Sequence, residues 1–258
     1  MTGSTATSSL EPSLSVERIE LASAFRLAER FGFHEGICNH FSLRASGNKE
    51  RYLINPYGLH WSQIQPDSLL LINADGDILE GRGEVEDTAL FIHVAGHRAN
   101  PRHKAILHTH MPYATTLTML DSDYGHLPMT HQTAARFHER VAYVGEYGGL
   151  ALDADEGQRL AAKANQAPEV DVTFLANHGV VVGGSSVAVA FDDLYYLERA
   201  CRQHVLAMHT GKPLKGIADD VIAHTYGQFA QTQTEFAEAH FKALCKVLSD
   251  NPQHNFTF

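Results

Sequence analysis

Several things are scarce in this chain, and each scarcity excludes something. Cysteine occurs three times in 258 residues, at Cys38, Cys201 and Cys245. An odd number at unrelated spacings makes no disulfide framework and points to reduced thiols in a cytoplasmic protein. Lys and Arg number 20 against 30 Asp and Glu, for a net charge of −10. A surface of that sign is a poor match for nucleic acid or an anionic membrane, so neither is expected as a partner. No apolar run approaches the roughly 18 residues of a membrane span. The first residues lack a charged start followed by an apolar core, so no secretory leader is expected. There is no internal repeat, and no composition break that would mark a linker. The reading is a tail over residues 1–14, Ser/Thr-rich and expected to be disordered, and one domain over 15–258.

Histidine is what the chain has in excess, with 17 residues. The informative stretch is Lys104-Ala105-Ile106-Leu107-His108-Thr109-His110. It reads as a short strand that runs out of apolar residues into two histidines. Alternate strand residues share a face, so His108 and His110 lie about 7 Å apart along one side. Two neutral imidazoles so placed can reach one divalent metal. They can equally be strand-end histidines hydrogen-bonded to something else, because chance alone supplies roughly one His-x-His at this composition. A third histidine, His178, sits at another strand end. Gly179 follows it and permits a tight turn or close backbone approach.

The remaining pattern interleaves helices and strands. A helix is expected from Ser15 as N-cap, with Leu21, Ala24, Phe25 and Ala28 on its core face and Gly32 as its stop. Short strands are expected over 37–44, 51–54 and 69–72, the last followed by the hairpin turn Asn73-Ala74-Asp75-Gly76-Asp77. A helix over 87–99 must end before Pro101, and Pro112 opens another that reaches Leu120. Asp121 to Gly125 reads as a loop and 141–144 as a strand. Asp153 caps a helix to about Gln166. A strand over 171–176 is broken at Asn177-His178-Gly179 and is expected to continue through Val180–Val182. Long helices follow over 185–210 and 218–248, the second with a weak point at Gly227.

In several segments taken together the chain resembles the class II aldolase/adducin family. The carriers are Asn39-His40-Phe41-Ser42-Leu43-Arg44, Asn55-Pro56-Tyr57-Gly58, Asp75-Gly76 with Glu80-Gly81, and His93 before Pro101. They continue through the segment from Asn100 to His110, Asn177-His178-Gly179, and Leu197-Glu198 in a long helix. These matches fall in order over roughly residues 17–210. The resemblance implies an α/β fold, a single α/β/α domain around a mostly antiparallel sheet. It implies one divalent metal ion per subunit held by His108, His110 and His178, zinc first, with manganese or iron as alternatives. It also implies a homotetramer with intersubunit sites and a small-molecule substrate. The family's usual reaction is retro-aldol cleavage of a sugar phosphate.

The departures from the family pattern bear on the chemistry. The family's proton-shuttle Glu falls on Ala89, and the acid Tyr after Pro-x-x-His falls on Gln132. Neither replacement carries a usable proton near neutral pH. His131 is the spare acid/base candidate, because its titration range suits that work. The phosphate-binding places hold Cys38-Asn39, Tyr57-Gly58 and Asp87-Thr88. Asp87 would repel a phosphate dianion by on the order of 1 kcal/mol or more at an effective dielectric near 20. Asn39, Tyr57, Gly58, Asp87, Thr88 and Gln132 are therefore read as lining for a non-phosphorylated keto or hydroxy carbonyl compound. Arg44, Arg82 and Arg136 are candidates for a substrate carboxylate. His93 is read as packed or supporting, His97 as solvated, His103 as a loop residue, and Tyr195 and Tyr196 as core or interface. Three functions remain open. One is a metal-dependent lyase, working by retro-aldol cleavage or decarboxylation through a metal-stabilised enolate. The others are a three-histidine non-haem iron oxygenase and a non-catalytic module like the adducin head.

Overall fold

The short apolar runs become the strands of one sheet. In the computed structural model the described residues are 12–47, 50–121, 125–149, 154–164, 167 and 169–250. The strands are β1 (His40–Arg44), β2 (Arg51–Ile54), β3 (Leu70–Asn73), β4 (Ile78–Glu80), β5 (Ala105–Thr109), β6 (Val141–Val144), β7 (Val172–Leu175) and β8 (Gly179–Gly184). Their order across the sheet is β4-β3-β2-β1-β5-β8-β7-β6. Every neighbouring pair is antiparallel except β6 with β7. This is the mixed α/β fold with a mostly antiparallel sheet that the sequence reading expects.

The helices are α1 (Pro12–Arg30), α2 (Asp87–Ala99), α3 (Pro112–Thr118), α4 (Gln132–Ala135), α5 (Ala154–Ala164), α6 (Val187–Met208) and α7 (Asp219–Ser249). Strand alternation sorts them into two layers. Phe41, Leu43, Leu53, Leu107, Phe174 and Val180 face one side, where α1, α3, α6 and α7 cover them. The centre of that side is aromatic: Phe25 stacks on Phe41 at 4.6 Å and meets Trp61 edge-on at 4.9 Å. On the other side Tyr52, Ile54, Leu70 and Ile72 pack with Ala89 and Val94 of α2, and α5 lies against α2. His40, Ser42, Ile106 and His108 belong to this second face by register, since His40 pairs with His108 and Ser42 with Ile106.

Turn chemistry explains the connections. Asn73 Oδ1 accepts from the amides of Asp75 and Asp77, and Gly76 takes φ +88°, which closes the β3–β4 hairpin. Ser186 caps α6 by accepting from the Val189 amide.

The structure differs from the sequence expectation in four places. Helix α1 is described from Pro12, three residues before the expected cap. Val180–Val182 does not continue the preceding strand; β8 turns back and pairs antiparallel with β7. Helix α7 runs unbroken through Gly227. Helix α4 and two 3-10 turns, Trp61–Gln63 and Pro66–Ser68, carry no periodicity long enough to read. Of the expected tail over 1–14, residues 12–14 belong to α1 and 1–11 lie outside the described residues, as do the loop residues 122–124 and the cap at Asp153. All three cysteines are free. Among the described residues no helix is long and apolar enough to cross a membrane.

Candidate metal centre

His108 is the last buried side chain of β5 on the α2 face, and His110 follows one residue beyond the strand. His178 comes from the β7–β8 turn. The sheet order places β8 beside β5, so that turn reaches the end of β5. One potential ligand atom from each of the three histidines lies within 4.8 Å of the others. Their ring centroids are 4.8 to 5.0 Å apart, with interplanar angles of 65° to 80°. Gly179 permits the approach. A Cβ there would lie 2.5 Å from the Thr109 carbonyl oxygen and 2.7 Å from His110 Cδ2.

Hydrogen bonds orient two of the rings. His108 Nδ1 donates to the Val180 carbonyl at 3.0 Å, which leaves Nε2 bare. His110 Nδ1 meets Glu35 Oε2 at 2.5 Å, and His110 Nε2 is buried with no partner. Burial, reinforced by His110, pushes His178 down to about 4. Burial holds His108 well below the ordinary histidine range. Neutral imidazoles with one nitrogen occupied and the other free fit a divalent ion, with Val180 and Glu35 as the outer partners that fix ring orientation.

A second group of histidines lies behind the first. His40 stands 4.9 Å from the His108 ring, centroid to centroid. Its Nδ1 is 2.7 Å from His93 Nε2. His93 Nδ1 is 2.5 Å from Ser42 Oγ, and Ser42 Oγ is 2.8 Å from His97 Nε2. His97 Nδ1 donates to the His103 carbonyl at 2.9 Å. His97 is fully buried and stacks on Tyr52, where the sequence reading expects it solvated. The reason is that β1 presents Ser42 to it and Tyr52 covers it. His93 is packed and lies outside the cluster of potential ligands.

The other candidates take varied places. Asn39 is buried at φ +74°, and its Oδ1 accepts from the His110 amide at 3.4 Å. Tyr57 is exposed, and Gly58 beside it takes φ +80°. Asp87 is exposed in the first turn of α2, and Thr88 Oγ1 donates to Glu86. Ala89 is buried in the apolar cluster under α2. His131 and Gln132 stand at the start of α4, which packs on α6 and α7 across the sheet from α2. Among the described residues no hydrogen bond or ring contact joins His131 to the three histidines; His204 is its electrostatic neighbour. Arg136 is committed to Asp192 and covers the Tyr196 ring at 4.2 Å. Arg44 donates to the His97 carbonyl. Tyr195 and Tyr196 pack against the core.

Residues that the sequence reading did not assign to the site include Glu35, Ser42 and Glu198. Glu198 on α6 accepts from the Tyr113 and Ala114 amides at 2.9 Å each, which holds the start of α3 just after the His-x-His segment. Burial pushes its carboxyl up to about 7 despite those two donors. The Leu197-Glu198 pair is the signal that could have located it.

The model for the class II aldolase and adducin N-terminal domain matches residues 19–205, and the chain belongs to that family. Rat alpha-adducin is 33% identical over 192 residues, which cover 73% of this chain but only 25% of the adducin. The chain thus spans about a quarter of the adducins it matches. A protein of Caulobacter vibrioides named for the class 2 aldolases is 30% identical over 196 residues, covering 76% of this chain and 74% of that protein. Among solved structures, an aldolase II superfamily protein from Pseudomonas syringae superposes with a TM-score of 0.84 at 32% identity. It covers 92% of this chain and 93% of that one.

Proposed function

We propose that this protein is a divalent-metal-dependent lyase acting on a non-phosphorylated keto or hydroxy carbonyl compound, by retro-aldol cleavage or decarboxylation. The observation that carries the reading is the convergence of His108, His110 and His178, two of them, His108 and His110, with their outer nitrogens already committed. A bound ion would supply Lewis acidity to a carbonyl oxygen. The chain's own part is to orient the His108 and His110 rings through Val180 and Glu35, to hold the His110 backbone through Asn39, and to close the site from behind with α2.

The substrate class rests on charge and shape. Asp87 sets a carboxylate at the start of α2 and disfavours a phosphate dianion. Tyr57 offers a large exposed ring to a flatter, more apolar group. His131 is the proposed acid/base group. As it lies away from the cluster within one chain, that role needs the chain to work as a homotetramer in which a neighbour's His131 reaches the site. Zinc is the proposed ion, and the cytoplasm the proposed compartment.

One observation favours a second reading. No carboxylate joins the three imidazoles in the cluster of potential ligands among the described residues. An all-nitrogen set with open positions also suits non-haem iron and dioxygen. The deciding experiment is elemental analysis of protein purified without chelators, followed by a screen of keto and hydroxy acids with and without dioxygen. Zinc or manganese with oxygen-independent turnover supports the lyase. Iron with strict dioxygen dependence overturns it in favour of the oxygenase. Failure to load any metal, with no turnover, favours the non-catalytic module.

A further inference from the structure

The hydrogen bonds behind the cluster can run in only one direction. His97 Nδ1 faces a carbonyl oxygen, so that nitrogen carries the proton. No carboxylate lies within ion-pair distance of His40, His93 or His97 among the described residues, and all three are buried. Buried imidazoles without a counter-charge are neutral, with one N–H each. His97 Nε2 is then an acceptor, and the Ser42 hydroxyl spends its single hydrogen on it. Toward His93, Ser42 can only accept, so His93 carries its proton on Nδ1. His93 Nε2 must therefore accept, and His40 donates from Nδ1. The last atom of the chain, His40 Nε2, is left bare. It meets no donor among the described residues and is not one of the unpartnered atoms sealed from solvent. His40 is the register partner of His108 on the same face of the sheet, so this lone pair belongs to the neighbourhood of the three histidines.

The geometry points to His40 Nε2 as a fixed hydrogen-bond acceptor beside the three-histidine cluster, selecting ligands that carry an O–H hydrogen next to their metal-binding oxygen. Ser42, His93 and His97 are positioning residues that hold this tautomer. A ligand without such a hydrogen leaves the acceptor facing it unpaired, the costly side of the hydrogen-bond asymmetry. The inference rests on the proposed metal site and names the substrate feature that site would read.

Two measurements test it. In metal-free protein labelled with nitrogen-15 in histidine, long-range proton–nitrogen correlation should place the His40 proton on Nδ1 and leave Nε2 bare. A proton on Nε2 overturns the inference, and no variant or metal is needed to see it. In zinc-loaded protein, titrations with glycolate and methoxyacetate compare ligands that differ by the hydroxyl hydrogen. The preference for glycolate should be about tenfold larger in the wild type than in His40→Phe at equal zinc loading. An equal preference in the two overturns the inference. Zinc stoichiometry of the wild type reads the metal assignment separately, so the two failures are distinguishable.

Discussion

Replacing Gly179 with Ala should damage the candidate site while leaving the fold in place. The added methyl carbon would sit 2.5 Å from the Thr109 carbonyl oxygen and 2.7 Å from His110 Cδ2. Ordinary contact begins near 3.4 Å, so the β7–β8 turn or the end of β5 must give by about 1 Å. Neither neighbour is the far end of a flexible side chain. One is backbone, and the other is a ring held by Glu35. Overpacking of this kind costs about 1–3 kcal/mol, or roughly 2–12 °C in melting temperature for a chain of this size. The turn carries His178 and the strand end carries His110, so the displacement falls between two proposed ligands. Sites of this type tolerate errors of roughly 0.5 Å. Zinc affinity, read by competition with a chromophoric chelator, should fall ten- to a hundred-fold. Gly227→Ala is the control, because nothing lies within 4 Å of a Cβ there and the residue is inside α7. It should stabilise by about 0.5–1 kcal/mol and leave zinc affinity alone. A Gly179→Ala protein that binds zinc within twofold of the wild type would refute the reasoning.

Three further outcomes are expected. Burial depresses His97 to about 3 in the folded protein, against an ordinary value near 6.5. Its contribution to stability is therefore present above about pH 6.5 and is lost as pH falls toward 3. Urea midpoints of metal-free protein should drop across that window, and less steeply in His97→Gln; equal slopes in the two proteins would remove His97 as a source. Glu198→Gln turns an amide N–H₂ toward one of two backbone N–H donors, which leaves that donor unpaired. It should cost about 1–3 kcal/mol by calorimetric melting, and an unchanged melting temperature would deny Glu198 its role under α3. Asp87→Asn should strengthen binding of a sugar phosphate about fivefold by titration calorimetry, and no change would mean that Asp87 does not face the ligand.

The sequence pattern read some parts of this molecule well and others poorly, for identifiable reasons. Helix α2 was legible end to end because Pro101 cannot continue it. Strands β2 and β6 fell on short apolar runs, Tyr52-Leu53-Ile54 and Val141-Ala142-Tyr143-Val144. The β7–β8 reversal was missed because Asn177-His178-Gly179 reads equally as an interruption or as a turn, and only pairing with β5 decides between them. The three cluster histidines were legible as a set because the family pattern names them; spacing alone gave two. His97 was misread because a polar residue late in a helix with charged neighbours is ordinarily solvated. Its burial depends on Ser42 and Tyr52, which are 55 and 45 residues away in the chain. Placing His131 took the layer assignment of α4, a helix of four residues that carries almost no periodic signal.

Site and fold are tied together by the register between β1 and β5. His40 opposite His108 and Ser42 opposite Ile106 put both polar β1 side chains on the α2 face. A slip of one residue would turn them toward Phe25, Trp61 and Phe41's present surroundings, and would turn Phe41 and Leu43 toward α2. On the aromatic side they would meet an apolar cluster instead of His93 and His97, and burying such groups unpaired costs roughly 1–3 kcal/mol each. Helix α2 answers this register with histidines one turn apart, at 93 and 97, each bonded to a β1 side chain. The polar layer therefore selects the strand alignment that also delivers His108 to the cluster. For that reason His108 should already hold its place on the α2 face in metal-free protein.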